Sequence, residues 1–251
     1  MSNLINKISE NSLSGKKAFA VLLDPDKLDA QTLSERIVAL NSAEVDFIFV
    51  GGSLISSDNM DMILEELKEK TSLPKIIFPG NGLHINENAD GILLLSLISG
   101  RNPDFLIGQH VVSAPILKRS NLEKIPTGYM LIDGGNPTTV SYISNTFPIP
   151  NNKPDVAAAT AMAGEMLGLK VIYLDAGSGA QNPVNETIIS AVKKHVDVPV
   201  IVGGGLNTIA KASNALAAGA DMIVVGNAIE SNPAFLLEIS QLIASYNLSE
   251  V

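Results

Sequence analysis

Eight short runs of consecutive apolar residues, separated mostly by helix-patterned stretches, restrict the folds open to this 251-residue chain more than any other feature. They are "KAFAVLLDPD" (17–26), "VDFIFVGGS" (45–53), "PKIIFPGN" (74–81), "GILLLSLISG" (91–100), "GYMLIDGGN" (128–136), "KVIYLDAGSG" (170–179), "VPVIVGGG" (198–205) and "ADMIVVGN" (220–227). Each closes on Gly, Asp, Ser or Asn. The runs do not alternate with polar residues, which is the pattern of parallel strands covered on both faces. Between them lie helical patterns such as "DAQTLSERIVALNS", "VNETIISAVKKH" and "NPAFLLEISQLIASY", several opening on Asn, Asp or Ser as helix N-termini do. Eight strand–helix repeats in this length predict a (β/α)8 TIM barrel. An open doubly wound sheet would place G-x-G-x-x-G after its first strand, where "LLDPDK" stands instead.

With 46% hydrophobic residues the chain can bury a full core, and no linker or low-complexity tract divides it, so residues 1–251 are expected to form a single domain. Two places break the rhythm. "GNGLHINENAD" after the third strand is too short for a full helix, while segments 98–127 and 134–155 exceed ordinary connections. In a barrel, long connections after strand ends lie on the catalytic face, which makes these two segments substrate-wall or lid candidates.

The net charge of −9 and pI near 4.8 repel polyanions, so nucleic acid is not an expected partner. Absence of cysteine removes disulfides, thiolate metal sites and thiol nucleophiles together. The longest apolar run, residues 91–100, is about half the length of a membrane span. The N-terminal "MSNLINKISENSLSGKK" has no signal-peptide core, and a cytoplasmic protein without stable membrane insertion is the expectation.

Barrel strand ends all point to one mouth, and here they carry Asp24 and Asp26, Ser53, Asn81, Asp133, Asp175, Gly203 to Gly205, and Gly226 with Asn227. The two late loops, "VGGGLNT" and "VGNAIE", have the form of a phosphate cradle, in which glycines let backbone N–H groups approach oxygen. Gly177 and Ser178 can complete it. A plain tight turn explains the glycines equally well. Asp24 with Ser53 suits Mg2+, which keeps waters and takes further oxygens from substrate phosphates; capping the next turn is the structural alternative for Asp24 and Asp26. Asp175 is placed to hold or deprotonate a substrate hydroxyl, a helix cap or loop hydrogen-bond acceptor being the structural alternative, with Tyr173 either sharing that duty or packing in the barrel. His195 ends a helix and is read as structural, His84 and His110 are left open, and no zinc-binding spacing occurs.

"LLDPDK", "VGGS", "YLDAGSGA", "VGGGL" and "VGNAIE", in this order and spacing, resemble the geranylgeranylglyceryl phosphate synthase family, which includes the PcrB-like heptaprenylglyceryl phosphate synthases. The likeness runs through nearly the whole chain. The segment "SYISNTFPIPNNKPDVAAATAMAGEMLG" is similar to that of the larger-bodied branch. The resemblance implies ether formation between a prenyl diphosphate and sn-glycerol 1-phosphate, releasing diphosphate, on a barrel with a degenerate third helix. It implies Mg2+ at Asp24 and Ser53. Glycerol phosphate would fall on Tyr173, Leu174, Asp175, Ala176, Gly177, Ser178 and Gly179, on Gly204 and Gly205, and on Gly226 and Asn227. The family's usual glutamate is Asp175 here, shorter by about 1.5 Å, so proton removal is expected either directly or through a water. Homo-oligomers are implied as well; the Ala-rich helix suits either close packing on the barrel or burial against another subunit.

Lys27, Arg101, Lys118 and Lys153 are candidate diphosphate contacts, and residues 93–98 and 102–112 candidate walls for a prenyl tail; surface charge and core packing are the respective alternatives. A sugar-phosphate isomerase on the same barrel and a non-catalytic phosphometabolite sensor are the competing functions.

Overall fold

In the computed structural model of the chain, which describes residues 3–56, 59–80 and 84–248, eight parallel strands close into a barrel. They are β1 (Ala18–Leu23), β2 (Phe47–Gly51), β3 (Lys75–Phe78), β4 (Gly91–Leu97), β5 (Glu123–Leu131), β6 (Val171–Asp175), β7 (Val200–Gly203) and β8 (Met222–Val225). Each pairs with its sequence neighbour, and β8 returns to β1 through Ala18 opposite Met222. Closure removes every sheet edge.

Two layers of packing follow from strand alternation. Inward-facing Phe47, Phe49, Ile76, Tyr129, Tyr173 and Ile201 fill the barrel. Outward-facing residues such as Val21, Ile48, Ile77, Leu174 and Val202 pack beneath the helices. The helices of this outer layer are α2 (Ala30–Ser42), α3 (Met60–Lys70), α4 (Gln109–Arg119), α5 (Thr139–Ser144), α6 (Pro154–Met166), α7 (Glu186–His195), α8 (Ile209–Ala217), α9 (Asn227–Ser231) and α10 (Ala234–Leu248). Their starts carry the expected chemistry: the Asp29 carboxylate accepts from Thr32 N–H at 2.8 Å and Asn185 accepts from Thr187 N–H at 2.9 Å. Between β3 and β4 the described residues 84–90 form no α-helix, as the degenerate third helix requires.

A further helix, α1 (Leu4–Leu13), was not evident from the sequence pattern. It closes the end of the barrel opposite the strand C-termini, burying Leu4 and Ile8 in the barrel interior. Glu123, at the start of β5, accepts from the N–H groups of Leu4 at 2.6 Å and Ile5 at 2.9 Å. The fifth strand also differs from expectation, spanning 123–131 rather than 128–136. Pro126 masks its early half, yet the prolyl carbonyl accepts from Lys170 N–H, so the missing prolyl N–H faces the same side, before β6 begins at Val171, and removes no ladder bond. Segment 98–127 is therefore less open than its composition suggests. It holds a π-helical turn at Asp104–Gly108, then α4, then the first half of β5.

Candidate active site

The strand C-termini open into two adjoining cavities that share Ser53 and Phe78. One, of about 270 Å3, is the more polar of the two. Its walls come from the loops after β1 (Asp24), β2 (Gly52, Ser53), β6 (Gly177, Ser178, Gly179), β7 (Gly204, Gly205) and β8 (Gly226, Asn227), with Tyr173 and Asp175 at its base. The acidic rim and the glycine rim thus face one space. The other cavity, about 80 Å3, is apolar and lies between β4 and α4: Leu93, Leu94, Leu95, Leu97, Phe105 and His110 line it. Both segments expected to wall a prenyl tail contribute.

The glycine rim requires glycine for steric reasons. Gly204 has φ +81°, and a Cβ there would lie 2.7 Å from Asp175 Oδ1 and 2.7 Å from Gly177 N. The β6 and β7 loops touch backbone to backbone at this point. Asn227 Nδ2 donates to Ser178 Oγ at 3.2 Å, which ties the β8 loop to the β6 loop across the rim. Of the expected substrate contacts, Leu174 and Ala176 do not line the cavity. Strand alternation turns both into the layer beneath the helices, where Leu174 and Ala176 are fully buried.

Asp175 is held from two sides. Its Oδ1 accepts from Gly177 N–H at 2.7 Å, and its Oδ2 from the Tyr129 hydroxyl at 2.6 Å. Burial pushes its carboxyl above the usual range, opposed by those two hydrogen bonds. Burial and the facing carboxylate push the hydroxyls of Tyr129 and Tyr173 well above the ordinary tyrosine value, so both stay protonated near neutrality. Phe78, Tyr129 and Tyr173 form a cluster with ring centroids 5.5 to 6.0 Å apart, which fixes both hydroxyl-bearing rings. Tyr173 also lies over Gly203, where a Cβ would come within 2.5 Å of its hydroxyl oxygen. Tyr173 packs in the barrel, as the structural reading has it, and also borders the cavity.

Tyr129 was missed by sequence reasoning, although its strand was found. Its importance comes from register: Tyr129 pairs with Tyr173 and lines the apolar cavity, while its bonded partner Asp175 lines the polar one. Glu230 was likewise unassigned.

At the acidic rim, Asp24 Oδ1 accepts from Asp26 N–H at 3.1 Å, so the capping role is real. Its Oδ2 stands 3.6 Å from Lys27 Nζ. The Ser53 hydroxyl makes no hydrogen bond among the described residues and borders both cavities. A carboxylate and a hydroxyl on the wall of one cavity are the donor types of a hard cation that draws its other oxygens from substrate and water. Asp26 is turned to Ser56, accepting from its N–H and its hydroxyl. Asp133 accepts from Gly135 N–H and does not line the polar cavity, and Asn81 lies outside the described residues. Of the candidate cations, Lys27 reaches the rim, donating to Asn227 Oδ1 at 2.9 Å and pairing with Glu230 at 3.0 Å. Arg101 donates to the Ile98 and Gly100 carbonyls instead. Lys118 and Lys153 border neither cavity. His195 ends α7, its Nδ1 2.7 Å from the Ala191 carbonyl, as a structural residue would.

The sequence profile of the PcrB family matches residues 11–243. A geranylgeranylglyceryl phosphate synthase of Spirosoma linguale is 55% identical over 97% of this chain and 98% of its own length. One of Chitinophaga pinensis is 50% identical over 96% and 95%. Among solved structures, the (S)-3-O-geranylgeranylglyceryl phosphate synthase of Thermoplasma acidophilum, in complex with its substrate sn-glycerol-1-phosphate, superposes with a TM-score of 0.90 at 34% identity, covering 98% of both chains.

Proposed function

This chain belongs to the PcrB family, and from that premise we propose that it transfers a geranylgeranyl group from its diphosphate to sn-glycerol 1-phosphate, forming an ether and releasing diphosphate. The observation that carries the reading is the junction of a glycine-rimmed polar cavity with an apolar one, bridged by the 2.6 Å Tyr129–Asp175 hydrogen bond. A sugar-phosphate isomerase would leave the apolar cavity without a task.

In this mechanism the monophosphate sits against Gly177 to Gly179, Gly204, Gly205, Gly226 and Asn227, held by backbone N–H groups. The glycerol hydroxyl then points toward the cavity junction. The prenyl tail occupies the apolar cavity, with its C1 beside Ser53 and Phe78. As the C1–O bond to diphosphate breaks, the hydroxyl oxygen forms the new C1–O bond and its proton passes to Asp175, directly or through a water. Tyr129 keeps that carboxylate oriented and ionised by donating to it. Holding both reactants at one junction supplies much of the rate. Asp24 and Ser53 would hold Mg2+, which when bound neutralises charge on the leaving diphosphate.

The test is diphosphate release from geranylgeranyl diphosphate with sn-glycerol 1-phosphate, in the native chain and in Asp24→Ala. Native turnover, and loss of Mg2+-dependent turnover in the variant with glycerol phosphate binding intact, is expected. A native chain that binds glycerol phosphate yet releases no diphosphate with prenyl donors of any length is a sensor, and the proposal falls. Full activity in Asp24→Ala removes the metal assignment alone.

A further inference from the structure

His84 belongs to neither cavity rim, and the mechanism above gives it no part. Its Nδ1 accepts from the backbone N–H of Gly80 at 3.0 Å. The acceptor role fixes the neutral ring with its proton on Nε2, and partial burial favours the neutral form, holding the imidazole below its ordinary value against the pull of Asp26. Gly80 in turn has no room for a side chain. A Cβ there would fall 2.5 Å from the Gly52 carbonyl oxygen and 2.6 Å from that of Ser53. The backbone after β3 therefore lies directly on the Gly52–Ser53 peptide. Gly51 repeats the contact one step earlier, its Cβ position lying 2.0 Å from the Phe78 carbonyl oxygen. Among the described residues, Ser53 and Phe78 line both cavities.

We propose that His84 is a positioning residue for the donor end of the site: by holding the Gly80 amide it presses the Gly80 backbone onto the Gly52–Ser53 peptide and so sets the Ser53 hydroxyl at the cavity junction. The inference rests on the assignment of Ser53 to the diphosphate and Mg2+ end of the reaction. Its chemistry is narrow. What matters at position 84 is one acceptor atom at the place of Nδ1, because an amide donor left unpaired at half-buried Gly80 would seek a new partner and shift the peptide beneath it. Asparagine carries Oδ1 at an equivalent distance from its backbone and can replace the acceptor. Leucine has similar bulk and cannot.

The experiment compares His84→Leu and His84→Asn in the full chain. His84→Leu is expected to raise the Mg2+ half-saturation and the KM for prenyl diphosphate by about fivefold, the loss of one hydrogen bond. The KM for glycerol phosphate should stay within about twofold, since the glycine rim is untouched. His84→Asn should restore the donor parameters to near native. Amide hydrogen exchange at Gly80 reads the bond itself, faster in His84→Leu and native-like in His84→Asn. The proposal is overturned if both variants behave alike, if both KM values rise together, or if Gly80 exchange does not change. Ser53→Ala separates this from the underlying reading: unchanged Mg2+ and donor dependence there removes the role of Ser53, whereas a response in Ser53→Ala with none in His84→Leu removes only the role of His84.

Discussion

Replacing Tyr129 by Phe removes one oxygen atom from the cavity junction and leaves the rings packed. The T-shaped contact with Phe78, centroids 6.0 Å apart, does not involve the hydroxyl. What disappears is the 2.6 Å bond to Asp175 Oδ2, leaving a carboxylate only 9% exposed with Gly177 N–H as its remaining donor. A hydrogen bond to a charged group contributes about 1.5–3 kcal/mol. That difference falls on the ionised form, so the acid limb of kcat/KM should move upward by about 1–2 pH units. Stability follows with a definite sign. Burial already raises the Asp175 carboxyl in the fold, so the native state holds its proton more tightly than the unfolded chain and loses stability as pH rises through the folded value. The variant raises that value further. Native chain and Tyr129→Phe should therefore be equally stable while the Asp175 carboxyl is protonated in both folded forms, and diverge as pH rises through its raised native value, the gap approaching about 1.5–3 kcal/mol once the carboxyl ionises in both. Diphosphate release measured from pH 4 to 9, with denaturant titrations at both ends, reads both effects. A variant that loses rate with its acid limb unmoved would show that Tyr129 acts on the donor rather than through Asp175, and the proton-transfer argument would be wrong.

Asp175→Asn should abolish turnover yet leave stability at pH 7 equal or higher, because a neutral amide avoids the cost of a buried charge; a large loss of stability would contradict the desolvation argument. Gly204→Ala forces a side chain into φ +81° and against Gly177 N, so it should cost about 1–3 kcal/mol and weaken glycerol phosphate binding more than donor binding, checked by calorimetric titration. Lys27→Met removes the cation joined to Asp24, Asn227 and Glu230, and should raise the KM of either substrate several-fold with little change in melting temperature, the pair being partly exposed. Sedimentation should find a homo-oligomer, since Val111, Val112 and Phe147 leave large apolar surfaces exposed on the single chain.

Much of this molecule was already written in the order of its residues. The β1, β6, β7 and β8 runs announced their strands and their loops, because parallel strands buried on both faces need unbroken apolar stretches and their C-terminal turns need Gly, Asp or Asn. That Asp24, Ser53, Asp175 and the glycine loops would share one space was legible in this way, since barrel topology alone sends all strand ends to one mouth. Side-chain direction and cross-strand register were beyond its reach. Whether Leu174 or Tyr173 turned inward depended on the phase of a two-residue alternation. The partnership of Tyr129 with Asp175 joins residues 46 positions apart, and no local pattern encodes that register. The α1 plug, the hidden first half of β5 around Pro126, and the stacking of Gly80 on Gly52 are contacts between segments distant in sequence, settled when closure of the barrel brought them together.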